Sequence, residues 1–166
     1  MISSSTLIIT IVIIVVILSP FFYFSIKKRM RNAEFKSLIQ DFAAQNNVVL
    51  TEFELWNTSG MAIDKSANKL IYVRKTHNHD YVKTCIDLNE IQRSRISETE
   101  KNASTATGNT RVTARLDLAL VYTNKEKGDE MLEFYNSEYD GYTIANEMEL
   151  AKKWVNIINL HVSKRK

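Results

Sequence analysis

The side chains best suited to chemistry lie together in residues 74–80, which contain Arg, Lys, Thr, two His and an Asp. His77 and His79 fall on one side of an extended segment, where they could share a metal ion with Asp80. A zinc site needs three or four ligands, and no further ligand stands at a suitable spacing. We therefore predict a solvated hairpin tip, with no bound metal and no cofactor.

Motifs for nucleotide binding and hydrolysis are absent from the sequence. The four glycines, at positions 60, 108, 128 and 141, are isolated, whereas a phosphate loop needs several close together. No G-x-S-x-G, H-E-x-x-H or paired-cysteine pattern occurs. The sequence thus predicts a protein that is not an enzyme and has no catalytic residues, with Arg74 and His79 as the only candidates.

Alternation of apolar and polar residues after Val48 predicts a meander of short antiparallel strands. The predicted strands cover residues 49–55, 61–64, 70–74, 81–87, 90–96, 112–122 and 131–135. The stretch 98–109 is rich in Ser, Thr and Asn, which predicts a long mobile hairpin loop.

A C-terminal helix follows the strands. Its apolar residues recur at helical spacing and comprise Met148, Ala151, Trp154, Val155, Ile158 and Val162. An amphipathic helix after a run of strands covers the open side of their sheet. We therefore predict that Trp154 packs in the core and has no binding role.

The N-terminal residues 7–26 are apolar at 16 of 20 positions and carry no charge, which predicts a membrane-spanning helix about 30 Å long. The expected membrane interface comprises Phe21, Phe22, Tyr23, Phe24, Lys27, Lys28, Arg29 and Arg31. A cleaved signal peptide is disfavoured because residues 1–6 contain no Lys or Arg. The predicted domains are a transmembrane anchor (1–26), a juxtamembrane helix (27–47) and a β-rich cytoplasmic domain (48–166). The predicted location is the inner membrane, with the N-terminus outside.

The net charge of +3 is unevenly distributed. Without the four cations at positions 27, 28, 29 and 31, 18 basic residues face 19 acidic ones. A nucleic-acid-binding face needs basic residues spread over the domain, so no direct nucleic-acid binding is expected. Cys85 is the only cysteine, which excludes an intrachain disulfide and agrees with a reducing compartment.

About seven strands followed by one helix containing Trp154 resemble a pleckstrin-homology-like barrel over residues 48–162. The resemblance implies an α+β fold, an antiparallel β-barrel or meander closed by the C-terminal amphipathic helix. Lipid-binding members of that family use Lys and Arg in the first hairpin, and here the corresponding turn, residues 57–60, has no cation.

Arg74 and His79 are separated by four residues, the R-x4-H pattern of HEPN-type ribonucleases. With the predicted N-terminal span and the short chain, this resembles the small single-span accessory protein of type VI-B CRISPR loci. The resemblance implies membrane-linked antiviral defence. HEPN domains are helical, whereas strands are predicted on both sides of this motif, so we predict that Arg74 and His79 are not a catalytic pair.

Three functional hypotheses follow. The first is a membrane effector that self-assembles into a pore, lined on one helical face by Thr6, Thr10, Ile13 and Ile17. The second is a membrane-tethered adaptor that binds a protein partner, and the third is a divergent ribonuclease. The first two predict a homo-oligomer or a protein partner.

Overall fold

The computed structural model describes residues 4–78, 80–105, 108–141 and 144–163 of the chain. Within these ranges, the side chains of residues 4–13, 21, 24, 27, 28, 31, 103–105, 108 and 109 are not described. The chain divides into two compact units, Met1–Leu38 and Ile39–Lys166.

A long helix, α1, covers Ser4–Gln45 and contains Pro20. Its described apolar side chains between Ile14 and Met30 are exposed. Helix α1 ends at Gln45, and the side-chain amide of the next residue, Asn46, donates to the Phe42 carbonyl at 2.8 Å.

The predicted transmembrane anchor is wrong. Among the described residues, no helix is both long enough and apolar enough to cross a membrane. A spanning helix needs about 20 consecutive, predominantly apolar residues.

The predicted single-pass inner-membrane location depends on this anchor and is therefore wrong as well. The membrane interface at Phe21, Phe22, Tyr23, Phe24, Lys27, Lys28, Arg29 and Arg31 stays a prediction from the sequence. Of these side chains, the described Phe22, Tyr23 and Arg29 are simply exposed on α1.

In the part of the chain that the structure describes, seven strands form two antiparallel sheets. The first sheet contains β1 (Glu52–Trp56), β2 (Ser59–Asp64), β3 (Lys69–Lys75) and β4 (Tyr81–Asp87) in sequential order. The second contains β5 (Ile91–Thr105), β6 (Gly108–Tyr122) and β7 (Glu130–Asn136), and the C-terminal helix α2 covers Glu147–Ser163. The α+β class, the meander and the C-terminal helix are thus confirmed.

The sheets do not close into the predicted barrel. In the described residues no strand of one sheet pairs with a strand of the other. The chain leaves the first sheet through a 3-10 turn, Leu88–Glu90, in which the Asp87 carboxylate accepts a hydrogen bond from the Asn89 N–H. This turn redirects the backbone, so that β5 begins a separate sheet.

The prediction of a mobile loop at 98–109 is also wrong for the residues of this stretch that the structure describes. Residues 98–105 extend β5, residues 108 and 109 begin β6, and the register runs out to Thr105 opposite Gly108. Only the segment of β6 from Arg115 to Leu120 also pairs with β7. The outer half of this hairpin is therefore a two-stranded ribbon.

The core lies between the two sheets and α2. Trp154 is 1% exposed and shares one cluster with Leu116, Leu118 and Phe134. Leu116 and Leu118 lie on the alternating face of β6, and Trp154 lies on the apolar stripe of α2. The predicted core position of Trp154 is confirmed.

The outer face of the first sheet is buried as well. Ala62, Ile71 and Val73 point away from the main core and are fully buried. Near this face, the Lys83 ammonium lies 5.9 Å from the Phe42 ring, and the Lys69 ammonium donates to the Asn46 carbonyl at 2.9 Å. The last turn of α1 and the residues after it therefore pack against this sheet.

Asp64, at the end of β2, organises the turn that follows. Its carboxylate accepts hydrogen bonds from the Ser66 hydroxyl (2.6 Å) and from the N–H groups of Ala67 (2.9 Å) and Val49 (2.7 Å). These bonds, that of Ser66 first, outweigh burial and lower the pKa of Asp64 to about 2.

We expect Asp64→Asn to destabilise the protein by about 1 kcal/mol at neutral pH. Because the folded-state pKa lies below the ordinary value of 3.8, the stabilisation is present above pH 3.8 and is lost as the pH falls towards 2. Urea denaturation across this range should show the wild-type and variant stabilities converging at the acid end. A difference that stays constant across the range would contradict the assignment.

Candidate binding site between the two sheets

A buried arginine forms the floor of the gap between the sheets. Arg74, 4% exposed, extends from β3 towards β7 and the turn after it. Its Nη2 lies 2.8 Å from the Asp140 carboxylate and 2.9 Å from the Glu133 carboxylate. Its Nη1 donates to the Ser59 hydroxyl at 3.0 Å and to the Glu133 carbonyl at 3.2 Å. Burial acts to lower the pKa of Arg74, but the hydrogen bond to Asp140 and the nearby acidic charges raise it, so the guanidinium stays charged.

A second arginine joins this cluster from β6. Asp117 lies opposite Glu133 across the β6–β7 pair, an arrangement that is unfavourable for two carboxylates. Arg115 compensates, since its Nε lies 2.7 Å from Asp117 and 3.4 Å from Glu133. Burial nevertheless raises the pKa of Asp117 above its usual value. We call Arg74, Arg115, Asp117, Glu133 and Asp140 the charged cluster.

Two tyrosines complete the hydrogen bonding of Glu133. The Tyr72 hydroxyl donates to the Glu133 carbonyl at 2.6 Å, and the Tyr139 hydroxyl donates to the Glu133 carboxylate at 2.7 Å. Burial raises the pKa of both phenols, so they remain protonated donors. The Arg74 guanidinium also lies 5.4 Å from the centre of the Tyr139 ring.

A pocket of about 350 Å³ opens above this floor. It is lined by Tyr72, Arg74, Thr76, His77, Asn78, Val82, Met131, Glu133 and Tyr139. Its rim carries accessible apolar surface, because Val82, Met131 and Tyr139 are 46%, 39% and 42% exposed, beside the exposed polar residues His77 and Asn78. We call this the gap pocket, because both sheets line it, with Val82 of β4 on one side and Met131 of β7 on the other.

No protein-family model, curated protein or solved structure matches this chain.

The structure describes only some of the predicted candidate residues. Arg74 belongs to the charged cluster, whereas its predicted partner His79 lies outside the described residues. His77 is exposed at the β3–β4 turn, with its ring 6.3 Å from that of Tyr139. In the described part of the chain no three His, Cys, Asp or Glu residues are arranged to hold a metal ion. Of the predicted pore-lining residues, Ile17 is exposed, and the side chains of Thr6, Thr10 and Ile13 are among those not described.

The charged cluster was not identified from the sequence. One signal was available, since Asp117 stands between two leucines in an alternating strand, where an unpaired buried charge is costly. Its compensating partners Arg115 and Glu133 become apparent only once β6 and β7 are aligned.

Side chains cap two of the strand edges. On β7, the Glu133 carbonyl accepts from Tyr72 and Arg74, and the Phe134 carbonyl accepts from the Trp56 indole N–H at 3.1 Å. On β5, the Asn159 carboxamide from α2 accepts from the Ser94 N–H at 2.7 Å and donates to the Ser94 carbonyl at 3.0 Å. The Asn159 amide thus replaces a neighbouring strand at this point.

We expect Asn159→Leu to lower the free energy of unfolding by about 1 to 3 kcal/mol, because it leaves two backbone groups of the buried Ser94 unsatisfied. Asn156→Leu is the matched control, since Asn156 is an exposed position of the same helix. Thermal unfolding measures the stability of both variants relative to the wild type. Equal stability of the two variants would show that the edge of β5 does not need this cap.

Proposed function

We propose that this chain is a protein-binding module whose gap pocket holds one large apolar side chain of a partner protein. The observation that carries the proposal is the pocket itself, which combines an exposed apolar rim with a floor of satisfied polar groups. Binding pockets are typically apolar with a few fixed polar groups. Val82 and Met131 supply the apolar surface, and Tyr72 and Tyr139 supply aromatic contact area.

The polar groups of the floor favour binding over catalysis. A ribonuclease would use Arg74 to hold phosphate, but its guanidinium is already occupied by Asp140, Glu133 and Ser59. Glu133 accepts hydrogen bonds from Tyr139 and Asn136 as well. Neither side chain is free to act as a general acid, base or phosphate ligand.

The charges of the floor indicate which side chain fits. The charged cluster contains two arginines and three carboxylates, which gives a net charge of −1. This balance disfavours a partner side chain with a carboxylate or phosphate. Leu, Met, Phe, Tyr and Trp are the side chains that suit both the apolar rim and the volume.

The proposal is tested by selecting random linear peptides displayed on phage against the full chain. Peptides that bind should share a large apolar residue. We expect Val82→Lys and Met131→Lys to weaken their binding by about tenfold or more, because burial of an apolar side chain contributes about 1.5 to 3 kcal/mol.

Val49→Lys is the matched control, since Val49 is 70% exposed and does not line the gap pocket. Selected peptides should bind this variant as they bind the wild type. Failure to enrich any peptide, or equal binding to all three variants, would overturn the proposal. The resemblance to CRISPR accessory proteins and the expected self-assembly stay predictions from the sequence.

A further inference from the structure

The edge of the first sheet beside the gap pocket has unpaired backbone groups. The Thr76 N–H donates to the Asp80 carbonyl at 2.8 Å, and the Leu88 N–H donates to the Asn68 carbonyl at 2.7 Å. Together with the β3–β4 register, these bonds place the even-numbered residues of β4 in the hydrogen-bonded pairs with β3. Lys83 and Cys85 therefore direct their N–H and carbonyl groups away from the sheet.

This edge differs from those of β5 and β7. Asn159 caps β5, and Trp56, Tyr72 and Arg74 cap β7. Among the described residues, no side chain bonds to the outward backbone groups of Lys83 or Cys85. An uncapped strand edge is a template for pairing with another chain.

The register connects this edge to the gap pocket. Arg74 lies opposite Val82, and both side chains line the pocket. A further strand beside β4 would place the residue opposite Val82 on the same face of the sheet. Its side chain would therefore point into the gap pocket.

The partner residue opposite Lys83 needs a different type of side chain. Lys83 is exposed and its side chain lies on the outer face of the sheet, near Phe42. The partner residue opposite Lys83 would lie on that face too, where an acidic side chain is complementary to the ammonium group.

We infer that the partner binds as an additional antiparallel strand on β4, with a large apolar residue opposite Val82 and an acidic residue opposite Lys83. This inference rests on the proposed function and specifies the conformation and sequence of the bound segment. The backbone bonds supply affinity, and the two side chains supply specificity.

The pocket favours a different protein over a second copy of this chain. A second β4 would offer Val82, Thr84 or Ile86 to the pocket. Val82 and Thr84 are small relative to a pocket of about 350 Å³, and Ile86 is buried in the core of its own sheet.

The first test is an N-methyl scan of a peptide selected on the full chain. In an antiparallel pair, the residue opposite Val82 directs its N–H away from β4, while the residues on either side direct theirs towards it. N-methylation of the apolar residue should leave the Kd nearly unchanged, and methylation of either neighbour should raise it about tenfold or more. A flat or reversed pattern would overturn the inference. If Val82→Lys still abolished binding in that case, the proposed function would stand.

The second test is a charge exchange. Lys83→Glu should weaken binding of a peptide with an acidic residue next to the apolar one, and a peptide with Lys at that place should restore it. Lys152→Glu, at an exposed position of α2, is the control and should leave the binding of both peptides unchanged. Light scattering of the free chain completes the test, because a dimer displaced by the peptide would overturn the assignment to a different protein.

Discussion

Arg74→Met should lower the free energy of unfolding by about 3 to 5 kcal/mol, the typical cost of removing one partner of a buried ion pair. The methionine fills much of the space but leaves Asp140 and Glu133 without their cation. Both carboxylate side chains are mostly buried, so water replaces the guanidinium only in part. Urea denaturation at neutral pH measures the loss.

Arg95→Met is the matched control, since Arg95 forms an ion pair with Asp129 at 2.9 Å in which both side chains are well exposed. Removing such a pair costs less than about 1 kcal/mol. Arg74→Met combined with Asp140→Asn should recover part of the lost stability, because it removes one of the stranded charges. Equal losses at Arg74 and Arg95 would mean that the charged cluster does not hold the sheets together.

The second large effect is expected at Trp154, where replacement by alanine should cost about 3 to 5 kcal/mol. The indole is buried between α2 and the sheets, and alanine would leave a cavity in the main core. For a domain of this size, the loss corresponds to a melting temperature lower by roughly 10 °C or more. Differential scanning calorimetry measures the shift.

Trp154→Phe separates packing from hydrogen bonding. Among the described side chains, the Trp154 indole nitrogen is buried without a hydrogen-bond partner, so phenylalanine gives up no bond and should cost clearly less than alanine. Trp56→Phe is the contrasting variant, because the Trp56 indole donates to the Phe134 carbonyl. A Trp154→Phe loss as large as that of Trp154→Ala would show that the indole N–H matters to stability.

The sequence predicts the elements of the β-rich unit well because each has a buried face with its own period. Alternation in β6 and the helical stripe of α2 reflect local geometry, which a short window of sequence contains. The position of Trp154 follows from the same stripe. Whether a segment forms a strand or a helix can therefore be predicted without knowing how the two sheets are arranged.

The charged cluster and the ribbon could not be predicted in this way. Arg74 meets Glu133 and Asp140 across 59 and 66 residues of sequence, so their contact depends on the packing of one sheet against the other. The polar residues 98–105 looked like a loop because their composition is hydrophilic, yet pairing with β6 satisfies their backbone. The closed barrel was inferred from strand number, which does not determine whether the edges pair.

The strand order has a consequence for folding kinetics. Each sheet pairs strands that are consecutive in the chain, so every ladder closes a short loop at a small entropic cost. The contacts of Arg74 with Glu133 and Asp140 instead close a long loop, and we expect them to form after both meanders. Arg74→Met should then accelerate unfolding and leave the refolding rate nearly unchanged. The β3–β4 pair belongs to the first meander, so the edge of β4 that we propose for partner binding is complete before the gap pocket beside it.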